Sequence, residues 1–464
     1  MTRTSGPLGQ LGGRFQTAVD ALRTQLWPLP VFAVLVAIGL GVWIPTVDDA
    51  IGSDMPSSVS YFLINGGPDA GRAILEATAG SLITATSLTF SLTVVTLQLA
   101  SSQFSPRLLR TFTGDRVVHA TLALFLGTFA YALTVLRTVR SGDDGDEPFV
   151  PHLAVTLAFL LAIASIIGLV FFLAHLAREI RVETIMRKVH QETSGTIRRV
   201  YREERGAQPP VFPVAPHAAV WIGAPRSGFL TGIEEETLLA AAVKHRAIIR
   251  VDAQVGSSLV EGIPAAAGWV RSGEPSMGAE TVHEFRDDVA GAFTCGFERT
   301  AVQDVAFGFR QLIDVAAKAL SPGINDPTTA IHVLGHTSAL LCELTQRDLG
   351  PRVLHDDDGL VRVILDRPDF AAFLNITLDQ PVLYGRADPA VLDRVLSLLQ
   401  EVAWHASAED QPAIREQLQR VVSAVQEETY PDAVAAHLQQ RAAEVERALD
   451  GEWAPRGPVS GGRA

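Results

Sequence analysis

Along the first part of the chain, apolar residues run together rather than alternating with polar ones. The runs at 29–47, about 74–100, 117–136 and 151–177 each reach the roughly 20 helical residues that a hydrocarbon core about 30 Å thick requires. Charge inside them is confined to Glu76, near one end of the second run. The pattern predicts an α-helical integral membrane region of four transmembrane helices, because four such runs rarely coincide in a soluble core. The first run starts far from the N-terminus and lacks a small-residue cleavage site, so a signal peptide is not expected.

Beyond the fourth run the pattern changes. From 178 to 205 it stays helical but becomes charged, predicting a connecting helix that continues the fourth span. The prolines of GAQPPVFPVAP (206–216) break it, each removing a donor and fixing φ. In 211–292, AVWI, GFLTGI, AIIRVDA and SLVEG alternate with Gly, Pro and Ser around one helix, EETLLAAAVKH, which predicts a small β-rich module. The order of these runs resembles the barrel-sandwich hybrid of lipoyl and biotinyl domains. No lysine stands at a hairpin tip in a Met-Lys-Met context, so no carrier role is implied. Residues 293–450 read as a mainly helical domain with one short strand, LVRVIL, and 451–464 as a disordered tail. The expected fold is therefore four membrane helices followed by a mixed α/β region.

Charge adds sidedness. Lys and Arg gather in 1–28, after the second span (Arg107, Arg110, Arg116) and after the fourth (REIRVETIMRKVH), whereas the other two loops hold Asp48, Asp49, Asp54, Asp69 and SGDDGDEP. Basic loops stay on the cytoplasmic side, which predicts both termini and the whole C-terminal region inside an inner (plasma) membrane. Cys295 and Cys342 then lie in a reducing compartment and are expected as free thiols. A net charge of −13 argues against a nucleic-acid partner.

Two stretches, SLTFSLTVVTLQLASSQFSPRLLRTF (87–112) and ERTAVQDVAFGFRQLIDVAAKALSPGINDPTTA (298–330), together with the four-span layout, resemble a large bacterial family of predicted membrane proteins, domain-of-unknown-function family 2254. The resemblance covers nearly the whole chain and its SPGINDP connector is specific. It implies the topology above and carries over no catalytic residue.

Candidate chemistry is sparse. On the second span, Thr84, Ser87, Ser91 and Gln98 fall within about 60° of one another at the helical repeat, with Thr86, Thr89, Thr93 and Thr96 opposite. Two readings stay open: hydroxyls bonded to carbonyls one turn back in a helix contact, or a face lining a path and continued by Ser101 and Gln103. No ionisable relay lies deep in a span, which favours passive over ion-driven transport. His119 and His175 read as interface anchors.

Further on, Arg299, Gln303, Asp304, Arg310, Asp314, Lys318, Asn325 and Asp326 surround the connector between two predicted helices. They read either as caps and ion pairs or as a ligand or subunit contact. His332 and His336 read as a solvated face, and HDDD (355–358) as a polar turn. No metal or cofactor is assigned. P-loop, dinucleotide, nucleophile-elbow, zincin and C-x-x-C signatures are absent, so no enzyme is expected. Two functions remain. One is a homo-oligomeric channel or passive pore for an ion or small molecule, lined by the second span and gated by the cytoplasmic domain. The other is a membrane-anchored scaffold or sensor whose cytoplasmic domain binds a protein or small ligand.

Overall fold

A computed structural model describes residues 27–51, 63–103 except 65, 115–140, 149–179, 181–203, 213–271 except 214, and 277–453. Side chains at 51 and 100–103 and the C-terminal tail lie outside the described residues. The chain divides into two units, one ending at Thr184 and one beginning at Ile185.

Among the described residues the first unit holds four helices long and apolar enough to cross a membrane: α1 (Pro28–Ile51), α2 (Pro68–Gln103), α3 (Arg116–Leu136) and α4 (His152–Glu179). α3 is the inner one: 56% of its apolar window is buried, against 17–22% for the others. Small residues let its neighbours approach, with Ala79, Ala132, Ala154 and Ala158 packed around Leu75, Tyr131 and Val135. Phe32, Leu35, Ile166, Val170 and Phe171 point outward and are exposed. Such an apolar surface is stable against lipid and unstable against water. Asp48 accepts from Leu153 N (2.8 Å) and Asp115 from Val117 N (2.9 Å), so α4 and α3 each begin on a carboxylate that meets their unpaired N–H groups.

The charged segment after α4 forms a separate helix, α5 (Val182–Val200), rather than continuing the fourth span. The reason is amphipathicity: Ile185, Met186, Val189 and Ile197 are buried, so one face of α5 belongs to the core of the second unit.

That unit contains β1 (Val220–Gly223), β2 (Gly228–Ile233), α6 (Glu235–Lys244), β3 (Ala247–Val251), β4 (Ser258–Leu259), β5 (Pro264–Val270), α7 (Ala279–Ala290) and β6 (Phe293–Gly296). α8 (Val305–Ala319), α9 (Pro327–Leu344), β7 (Arg352–His355) and β8 (Val361–Leu365) follow, then α10 (Phe370–Gly385), α11 (Pro389–His405), α12 (Gln411–Glu427) and α13 (Asp432–Leu449). The strands form a five-stranded sheet in the order β1-β5-β3-β8-β7 and a three-stranded sheet β4-β2-β6. The β-rich module expected over 211–292 does not close on itself. β3 pairs in parallel with β8, Ile249 opposite Val363, and β2 pairs with β6. A parallel pair needs a long crossover rather than a hairpin, so residues beyond 292 complete the sheet. Helix starts follow side-chain chemistry: Asp304, Asp326, Asp369 and Asp388 each accept from a backbone N–H of the first turn. Both cysteines are free.

Candidate functional site

Within the second unit, the end of α5, the start of α6, the loop before α8, β7 and the segment after β8 enclose a cavity of about 330 Å³. That is the small end of the range for metabolite sites. Its charged lining is Arg199, Arg352 and Arg367 on one side of the balance and Glu235, Asp304 and Asp366 on the other.

The acids are already engaged. Glu235, at the first position of α6, accepts from Arg367 Nη2 (2.6 Å) and Arg352 Nη2 (2.8 Å). Asp304 accepts from Arg299 Nε (2.8 Å) and from Phe307 N (2.9 Å). Asp366 accepts from Gln254 Nε2 (2.8 Å). The arginines retain donors: one carboxylate cannot use ten N–H groups from two guanidiniums, and Arg352 Nε is buried with no hydrogen-bond partner among the described residues. Arg367 also donates to Val200 O (2.9 Å) and lies 5.8 Å from the Tyr201 ring centroid. Burial lowers its pKa from the ordinary guanidinium value, with Arg352 and Arg202 adding repulsion against the attraction of Glu235. The guanidinium itself remains charged.

The wall is made by close approach. Gly256 has φ +92°, and a Cβ there would lie 2.1 Å from Asp304 Oδ2; only glycine takes this backbone without strain and leaves the carboxylate its room. Gln303 mimics a strand edge, accepting from Ile233 N (2.9 Å) and donating to Ile233 O (3.4 Å).

The polar set expected around SPGINDP is thereby split. Arg299, Gln303 and Asp304 sit at the cavity end of α8. Arg310 and Asp314 follow along that helix, and Asn325 and Asp326 lie past its other end, about 22 Å away at 1.5 Å per residue. Asp326 caps α9 by accepting from Thr329 N (3.1 Å) and Oγ1 (2.5 Å), and Asn325 takes φ +50°. His336 is not on a fully solvated face: its ring lies 5.2 Å from that of His190, and burial, then His190, His332 and Arg187, lower its pKa. Arg199, Glu235, Arg352 and Arg367 escaped the sequence reading because four separate segments contribute them.

On α2, Thr84, Ser87, Ser91 and Gln98 are exposed on the outside of the four-helix unit. The opposite row turns inward: Thr86, Thr93 and Thr96 donate to carbonyls one turn back (2.7, 2.8 and 2.8 Å), and Thr89 is buried. Ser101 and Gln103 lie in the helix, but their side chains are outside the described residues.

A family model described as predicted membrane protein (DUF2254) matches residues 23–401. Uncharacterized proteins of Mycobacterium bovis (strain ATCC BAA-935 / AF2122/97) and Mycobacterium tuberculosis (strain ATCC 25618 / H37Rv) are each 36% identical over 420 residues, covering 89% of this chain and 79% of their own length. No solved structure matches the chain.

Proposed function

We propose that this chain, which belongs to the DUF2254 family of predicted membrane proteins, is an inner-membrane sensor that takes a small anionic ligand in the arginine-lined cavity of its second unit. In this reading the four spans are the anchor, the termini and the second unit are cytoplasmic as the Lys and Arg bias supports, and binding is not coupled to catalysis. The observation that carries it is the surplus of donors: Arg199, Arg352 and Arg367 around one cavity, with Arg352 Nε buried and without a hydrogen-bond partner among the described residues. Arginine matches planar or tetrahedral oxyanions with paired donors. The test is calorimetric titration of the full-length protein in detergent, at low salt, with inorganic phosphate, pyrophosphate and ATP. At least one should bind saturably, and Arg352→Gln should weaken it tenfold or more. Absence of binding by all three, or equal binding by the variant, would sink the reading.

A second reading, a homo-oligomeric passive pore, is favoured by the outward placement of Thr84, Ser87, Ser91 and Gln98. An amide facing hydrocarbon is costly, and a ring of copies would turn this row toward a shared path. Purified protein in planar bilayers should then pass discrete currents that vanish when Ser87, Ser91 and Gln98 are all replaced by Leu. Currents that persist in the triple variant would place the path elsewhere.

A further inference from the structure

We propose that Asp115, His175 and Glu179, in the first unit, hold a divalent transition-metal ion that ties the start of α3 to the end of α4. One ligand atom from each of the three residues lies within 4.8 Å of the other two. His175 Nε2 is 2.5 Å from Asp115 Oδ2 and 4.0 Å from Glu179 Oε1. Two ligands each about 2.1 Å from one ion stand roughly 3–3.5 Å apart, so the two separations bracket the spacing required. Small side-chain rotations bring all three into range.

The local structure aims these groups. His175 and Glu179 are four residues apart in the last turns of α4, on one helix face. Asp115 is fixed at the N-cap of α3 through its other oxygen, Oδ1, which accepts from Val117 N. All three side chains are largely withdrawn from solvent, at 21, 13 and 13% exposure. Two carboxylates held this close repel, and a divalent ion between them relieves the repulsion.

The donor set selects the ion. One imidazole nitrogen and two carboxylate oxygens suit zinc or manganese, whereas magnesium and calcium favour all-oxygen sites. Three protein ligands leave at least one position for water. The ion acts as a staple between two helices, independent of the cavity in the second unit.

The experiment uses tag-free full-length protein in detergent, stripped with chelator and titrated with Zn²⁺ or Mn²⁺ alone, with Mg²⁺ as a control. The expected result is one ion per chain, at least tenfold weaker in His175→Ala and in Glu179→Gln, with Mg²⁺ failing to compete. Because a variant can fail to fold, pulsed EPR of Mn²⁺ on the wild-type chain gives a second reading, and a histidine nitrogen coupled to the ion is expected. Uptake of no ion by folded wild-type protein, undiminished binding by the folded His175→Ala or Glu179→Gln variant, or a bound ion without nitrogen coupling would each overturn the assignment.

Discussion

Asp304→Ala is expected to destabilise the second unit by about 3–4 kcal/mol, the largest loss from any single site residue. Two contributions add. The N-cap of α8 is lost, which costs about 1 kcal/mol, because Phe307 N no longer has an acceptor. Arg299, only 17% exposed and 2.7 Å from Asp304 through Nη2, loses its carboxylate. Breaking a largely buried pair by removing one partner costs about 3 kcal/mol. Asp304→Asn separates the two, because an amide oxygen still caps the helix while the charge is gone.

Burial raises the Asp304 pKa above the usual carboxylate range, more than Arg299 and the helix N–H lower it. The folded state therefore takes up a proton here at higher pH than the unfolded chain does. This residue's own contribution to stability grows as pH falls through the folded pKa, and it is not a source of acid lability. On these figures the asparagine variant, which keeps the cap and loses the charge, should lose about three quarters as much as the alanine variant. Thermal unfolding of the full-length protein in detergent measures both, with Asp304→Ala lowering the midpoint of the second unit by roughly 8 °C or more. Equal midpoints for wild type and Asp304→Ala would mean that Arg299 and α8 are held by other contacts, and that the cavity wall does not depend on this carboxylate.

What the sequence shows and hides follows the range of each interaction. The membrane helices are legible because lipid imposes a length and a composition on one continuous segment. The Asp326-Pro327 start of α9 is legible because a capping acid and a first-turn proline act within four residues. Parallel pairing of β3 with β8 is not, since its partners stand more than a hundred positions apart and no turn residue announces a crossover. α7 was also missed: Phe285 and Val289, both buried, are a short apolar signal inside a charged stretch. The sites follow the same rule. Gln303 and Asp304 draw attention as neighbours, but Arg199, Glu235, Arg352 and Arg367 meet only through the fold. Asp115 meets His175 and Glu179 from another helix in the same way.

Glu235→Gln should do two opposite things at once, and the opposition identifies the ligand's charge. Glu235 is bonded to both Arg352 and Arg367, so neutralising it leaves two nearby cations without their shared counter-ion. The unliganded protein should lose about 2 kcal/mol, less than for a fully buried network because the three side chains are 17–29% exposed. Those same unpaired guanidiniums are then available to an oxyanion that no longer competes with a carboxylate. Affinity for the phosphate-bearing probe should rise tenfold or more, and saturating probe should restore part of the lost stability by mass action. If affinity falls instead, Glu235 accepts a hydrogen bond from the probe itself and is not a counter-ion that the probe displaces. If affinity does not move while stability drops, the anion binds elsewhere and Glu235 is only a structural counter-ion. A rise in affinity alongside a fall in stability is the outcome that requires Arg352 and Arg367 to be held in place by an internal carboxylate that an external anion displaces.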